Sequence, residues 1–298
     1  MVPGQKVHMY TVNTHTMTLN MEVVSVGSLR RHEATIPERA NKLILEFKNL
    51  ANLQNPIIVD ENYIVLDGNH RAHAFEVLKF RYIPVCKIDY FDDCTRLRYW
   101  FRLLGNISEI RLVQEVMQRF GAVLNPVKDQ AVLRSTLGEN CFVFGLQTAK
   151  TCMVASFSDD SCSDPVVIYQ RISDIQESLR KQGISLQYLP CKTVLKNQFC
   201  SALKPDEGVI WTPQITKKMV VNAASQGKVF APKTTRHVIP ARPLNVNIPG
   251  YWFAEPISLD EINRRFEDFL NQKRTRRFSP GLVLDGRYYE EELVVFYD

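Results

Sequence analysis

The stretch that most constrains this chain runs from residue 55 to residue 88, where short apolar strands and a helix surround a single polar break. Asn55-Pro56 punctuates, Ile57-Ile58-Val59 reads as a buried strand, Asp60-Glu61-Asn62 makes a turn, and Tyr63-Ile64-Val65-Leu66 returns. Asp67-Gly68-Asn69-His70-Arg71 then interrupts the strand. Ala72 to Leu78 follows at helical spacing, and Tyr82 to Ile88 is a further strand. A helix N-terminus has backbone N–H groups without intrahelical partners and a partial positive charge, so it is a ready anion site. Gly68 lets the backbone approach a phosphate closely. Asn69, His70 and Arg71 add side-chain donors, and a guanidinium can grip phosphate oxygens bidentately. The competing reading is a polar turn in which Asp67 merely caps the helix.

Upstream, residues 19–26 read as a first strand, followed by the polar connection Arg30-Arg31-His32-Glu33-Ala34. Thr35-Ile36-Pro37-Glu38 has capping-box spacing, with Thr35 as the cap. Ala40, Leu43, Ile44, Phe47 and Leu50 then give a helix one apolar face. Glu33 therefore falls on a short loop just ahead of a helix.

Downstream, Leu97–Leu104 and Ile107–Phe120 read as two helices. Beyond Asn125-Pro126 the pattern loosens. Apolar runs at 142–144 and 166–169 lead into helical spacing through Ile172, Ile175 and Leu179, and residues 156–165 read as a surface loop. Pro213–Ala224 and Ile257–Leu270 are expected helices, the second with Ser258 as cap and Glu261 at the box position. Leu293–Tyr297 is a closing strand. The expected class is α+β: an N-terminal domain over residues 1–125 and a second α+β domain over 126–298.

Composition narrows the function classes. With 37 basic and 32 acidic residues the net charge is +5, which suits anionic substrates and falls short of a dedicated nucleic-acid binder. The densest basic cluster, Lys273 to Arg277, reads as a solvated helix C-terminus, with a phosphate contact as the alternative. Seven cysteines without a C-x-x-C pair read as reduced thiols. No apolar run approaches the roughly 18–20 residues of a membrane helix. The first residues lack a signal-peptide pattern, and the expected location is the cytoplasm.

The run Ile64 to Ala74, continuing through Tyr82-Ile83-Pro84-Val85 and preceded by Asn55 to Val59, resembles the ParB/sulfiredoxin-like fold. In that superfamily a loop of this type cradles nucleotide phosphates. Within it the chain resembles the free serine kinases, which include siderophore-cluster enzymes making O-phospho-L-serine. His32-Glu33 falls where those kinases carry a catalytic glutamate. Thr235-Arg236-His237 to Arg242 resembles a segment of their second domain, and Arg287 to Glu290 resembles their C-terminal end. The likeness is strongest over residues 20–90, and residues 126–200 resemble nothing familiar.

The resemblance implies a phosphotransferase acting on L-serine with an adenine nucleotide, ATP or ADP, and Mg2+. Glu33 is the implied base for the serine hydroxyl. Asp67 is a second carboxylate that orients the hydroxyl or helps hold magnesium. Gly68, Asn69, His70 and Arg71 bind the phosphates. Arg236, Arg287 and His237 are candidates for the amino acid, and Trp100 is either a wall of its pocket or a core aromatic. The alternative is a ParB-like nucleotide- or DNA-binding regulatory protein; specific nucleic-acid binding is not expected, because no helix-turn-helix pattern follows residue 90.

Overall fold

The computed structural model describes residues 8–158, 163–191, 203–284 and 286–298. Cys162, Cys200 and residues 159–162 of the expected surface loop lie outside them. The chain forms two compact units, one from residues 1–96 and 237–298, the other from residues 97–236. The expected division at 125/126 is therefore replaced by a discontinuous one. The closing strand Glu292–Tyr297 pairs in parallel with Ala241–Leu244, and the helix Leu259–Asn271 packs on the strand Thr18–Ser25. These C-terminal elements complete the first unit, and a reading made along the chain carries no marker for such a return.

The first unit is built on a six-stranded mixed sheet. Its strands lie in the spatial order Tyr10–Asn13, Thr18–Ser25, Tyr82–Lys87, Ile57–Val59, Ile64–Asp67 and Arg30–Arg31. Ile57, Ile58 and Val59 are all buried, which is why that strand reads as continuously apolar. It runs parallel to Tyr82–Lys87 and antiparallel to Ile64–Asp67. The helices Pro37–Phe47 and Asn69–Val77 pack against each other, with Phe75 at the centre of an aromatic cluster. Its ring lies 5.7 Å from Phe47, 4.9 Å from Phe80 and 5.1 Å from Phe253. Helix Leu259–Asn271 begins as expected, with Ser258 accepting the Glu261 N–H at 3.1 Å. Its Asn263 amide clips both backbone groups of Val23, at 2.7 and 2.8 Å. The pairing of the edge strand Tyr10–Asn13 has already ended at Met21.

The second unit is a wholly antiparallel six-stranded sheet, ordered Ala122–Val127, Cys152–Phe157, Val143–Thr148, Gly208–Trp211, Trp100–Gly105 and Ser185–Pro190. Helices Ile110–Arg119 and Pro165–Lys181 supply Val113, Val116, Met117, Ile168, Ile172, Ile175 and Leu179 to one core. Helix Gln130–Glu139 supplies Leu133 and Leu137 to a second.

Three local expectations are corrected. Leu97–Leu104 is not a helix but the strands Arg96–Arg98 and Trp100–Gly105. Leu104 packs in one core and Phe101 and Leu103 in the other, so a strand covered on both faces mimics a helix's apolar density. The Thr35 capping box does not form: Ile36 is the N-cap, no side chain caps it, and Pro37 opens the helix. The basic cluster is the exposed strand Arg274–Phe278 rather than a helix end. The five described cysteines are free, and burial pushes the Cys86 thiol up to about 12. Among the described residues, no helix is long and apolar enough to cross a membrane.

Candidate functional site

Strand Arg30–Arg31 runs parallel to Ile64–Asp67, with Arg31 opposite Val65. Asp67 is the last residue of its strand, and Glu33 lies two residues past the end of the other. The two acids thus sit at the same end of adjacent parallel strands, the end at which open sheets bind ligands.

Gly68 follows in the left-handed region, with φ +102°. A Cβ there would lie 2.6 Å from Ile57 Cγ2 and 3.0 Å from an Arg71 terminal nitrogen, so the turn needs glycine for both its conformation and its space. Helix Asn69–Val77 starts at once, and its first internal bond is Ala72 N–H to Gly68 O at 2.9 Å. Asp67 does not cap it. The first-turn amides lie ahead of the helix's own ladder, at its positive end.

Arg71 is tied down. One terminal nitrogen donates to Asn55 O at 2.6 Å and Pro56 O at 3.1 Å, and the other to Asp67 Oδ2 at 3.4 Å. It staples the loop to the strand entrance. His70 Nε2 accepts the Ile36 N–H at 3.1 Å, joining the first turn of helix Asn69–Val77 to the start of helix Pro37–Phe47. That bond satisfies the backbone N–H of the N-cap residue Ile36, and with Nε2 accepting, the ring proton is assigned to Nδ1. Asn69 Oδ1 is buried without a hydrogen bond.

Asp67 collects arginines. Its Oδ2 also accepts from Arg242 Nη1 at 3.2 Å, and Arg287 adds its charge from the hairpin Val283–Leu284/Arg287–Tyr288. Burial alone would raise the carboxyl. The attraction of Arg242, then Arg71, then Arg287 outweighs it and holds Asp67 below the usual carboxylate range. Arg242 Nε in turn meets Glu291. Arg287 is exposed and lies over the Tyr289 ring at 4.7 Å.

His32, fully buried, stands edge-on to the His237 ring at 5.2 Å, and His237 Nε2 is 2.8 Å from the Tyr90 hydroxyl. Burial lowers the His32 pKa, against the pull of Glu33 and a backbone hydrogen bond to Val65. Of the residues singled out in the sequence, Glu33, Asp67 to Arg71, His237 and Arg287 all belong to the first unit. Trp100 and Arg236 belong to the second. There the Trp100 indole N–H donates to Thr235 O at 2.9 Å, and Lys233 Nζ lies 4.3 Å over its ring. Sequence reading missed Arg242 and Glu291 as site residues. The one available signal was a charged side chain, Arg242, inside the otherwise apolar Ala241–Leu244 strand.

No family model matches the chain. It is 26% identical over 239 residues to an ATP-dependent L-serine kinase of Staphylothermus marinus, covering 76% of this chain and 88% of that one. It is 20% identical over 253 residues to the ADP-dependent L-serine kinase SerK of Thermococcus kodakarensis, covering 82% and 96%. A solved free serine kinase in complex with AMP superposes with a TM-score of 0.64 at 19% identity, covering 78% of this chain and 93% of that one. That superposition shows the α+β, ParB-like fold expected from the phosphate-loop region. By sequence and by fold, the chain is similar to the L-serine kinases.

Proposed function

We propose that the protein transfers a phosphoryl group from an adenine nucleotide to the hydroxyl of free L-serine, giving O-phospho-L-serine. The observation that carries this reading is the position of Asp67 at the end of its strand, beside the positive end of helix Asn69–Val77, with Glu33 two residues past the end of the parallel neighbour. The likeness to L-serine kinases supplies the substrate.

A neutral serine hydroxyl is a weak nucleophile, and a placed carboxylate corrects that. Glu33 takes the hydroxyl proton as the serine oxygen bonds to the terminal phosphorus. The bond from that phosphorus to the leaving nucleotide breaks, releasing ADP from ATP or AMP from ADP. Asp67 holds the acceptor in line with the oxygen that its arginines leave open. The loop amides of residues 68–71 and the Arg71 charge stabilise the transferring group, since phosphoryl transfer depends mainly on position and charge. Arg287 and His237 serve the amino acid from the first unit. The parts of Trp100 and Arg236 rest on the resemblance.

Magnesium fits the donor set. Among the described residues no three His, Cys, Asp or Glu side chains gather as a preformed metal site. A magnesium ion bound chiefly by phosphate oxygens and water needs only one or two carboxylates, and the strand end offers Asp67. Such an ion would offset charge on the nucleotide. Greater identity to the ATP-dependent relative makes ATP the first donor to try. A nucleotide-dependent enzyme with free thiols fits the cytoplasm.

Acceptor discrimination tests the reading. A site built to bond a hydroxyl rejects an analogue lacking it, because buried polar groups are left unpaired. With magnesium and ATP or ADP, L-serine should be phosphorylated, L-threonine poorly, and L-alanine not at all. Turnover of threonine equal to serine would show that the acceptor site does not discriminate against the added methyl. Failure of every hydroxyl amino acid with both nucleotides would remove the kinase and favour a ParB-like binding role.

A further inference from the structure

The proposed reaction needs Asp67 aimed as well as present, and what aims it lies outside the phosphate loop. Arg242 sits on the strand Ala241–Leu244 between the buried residues Ala241 and Pro243, and only 14% of its side chain is exposed. A guanidinium so buried is costly unless its charge is paired. Here it has two carboxylates. Nη1 donates to Asp67 Oδ2 at 3.2 Å, and Nε faces Glu291, whose side chain is 12% exposed. Glu291 directly precedes the closing strand Glu292–Tyr297, which runs beside Arg242 in parallel register, with Arg242 opposite Leu293.

On the other side, Arg71 reaches the same Asp67 oxygen while its second nitrogen is committed to Asn55 and Pro56. Two guanidiniums from different elements thus converge on Oδ2. Oδ1 makes no hydrogen bond among the described residues, and 41% of the Asp67 side chain remains exposed. A carboxylate pinned through one oxygen can offer the other to a substrate with little rotational freedom left to lose.

We propose that Arg242 is a positioning residue of the phosphoryl-transfer site: anchored by Glu291, it fixes one oxygen of Asp67 and so presents the other to the acceptor. The inference rests on the serine kinase reading. It assigns the C-terminal segment a part in the chemistry of a loop more than 170 positions earlier, since Arg242 and Asp67 are separated by 175.

The test uses full-length Arg242→Met, Arg242→Lys and Glu291→Gln proteins, with two independent readouts. The first is steady-state kinetics. Arg242→Met is expected to lower kcat by about 10–100-fold while the KM for nucleotide changes little, the signature of a misplaced reacting group. Arg242→Lys, which keeps the charge, should recover part of the loss, and Glu291→Gln should lose less than Arg242→Met. The second readout needs no activity: crystal structures of wild type and Arg242→Met, in which the Asp67 side chain should leave its wild-type rotamer. Wild-type kcat in Arg242→Met, or an unmoved Asp67 in its crystal structure, overturns the proposal. So does a loss in Arg242→Met that Arg242→Lys fails to relieve. Should Arg242→Met not fold, the Arg242→Lys and Glu291→Gln kinetics decide: wild-type kcat in both overturns the proposal, and a graded loss supports it. A wild-type enzyme that makes no phosphoserine removes the kinase reading, and the Asp67 rotamer then still decides the positioning claim.

Discussion

Each unit buries an arginine on a strand, and the two are held in different ways. Arg102, in the second unit, is 1% exposed. It donates to Trp100 O at 2.6 Å and Lys233 O at 3.0 Å, and lies over the rings of Tyr169 at 5.8 Å and Tyr188 at 5.4 Å. Arg242, in the first unit, meets Asp67 and Glu291. Carbonyl dipoles and aromatic faces satisfy a guanidinium and lock backbone in place, which is structural work. Carboxylates tie the guanidinium to groups that can also face a substrate. The comparison separates an arginine that holds a fold from one that arranges chemistry.

The largest expected effect is on stability and belongs to the second unit. Arg102→Met takes a donor from Lys233 O and from Trp100 O, which among the described residues keeps only the Thr212 hydroxyl at 3.2 Å, and should cost about 2–5 kcal/mol. Urea denaturation would read it, and a loss below about 0.5 kcal/mol would place Arg102 among neutral surface positions. Next comes the base proposed for the first unit. Glu33→Gln should lower kcat by about 10²-fold or more with nucleotide affinity nearly unchanged, because removing a general base acts on the transition state. Rapid-quench kinetics giving near wild-type turnover would take Glu33 out of the mechanism.

Arg71→Ala should weaken nucleotide binding by about 1.5–3 kcal/mol, the scale of lost charged hydrogen bonds. The structure gives this effect a route, since Arg71 holds the loop through Asn55 and Pro56. Unchanged affinity in calorimetry would mean that the loop keeps its shape without the staple. The smallest effect is on pH dependence. Asp67 is held below its ordinary value, so it stabilises the fold fully above that ordinary value, and the contribution disappears as pH falls through its lowered folded value. The stability difference between wild type and Asp67→Asn should therefore shrink on acidification below about pH 4. A difference that stays constant into that range would show that the three arginines do not act on this carboxylate.

Much of the first unit was legible because its signals are local. Ile57-Ile58-Val59, the turn at Asp60, the return through Leu66 and the Gly68 break each follow from neighbouring residues; the strands occur where expected, and the helix begins three residues earlier, taking in Asn69, His70 and Arg71. Ser258 as a cap was legible for the same reason. Less was legible where tertiary contacts decide. Trp100–Gly105 reads as a helix until its partners on both sides and its two covering cores are known. Thr35 has the right spacing for a cap, yet His70, 34 residues away, takes the Ile36 N–H. Arg242 gave no spacing signal toward Asp67, because a parallel pairing with the last strand brings it there.

The central claim is that Glu33 and Asp67 serve the transfer of a phosphoryl group from an adenine nucleotide to serine, and following the phosphorus tests it most directly. Wild-type protein, L-serine and magnesium would be mixed with ATP or with ADP and monitored by 31P nuclear magnetic resonance. The account predicts a phosphomonoester signal that coincides with authentic O-phospho-L-serine, growing in step with ADP from ATP or AMP from ADP and absent when L-alanine replaces serine. No phosphoserine from either nucleotide, or nucleotide consumption equal with and without serine, would contradict it.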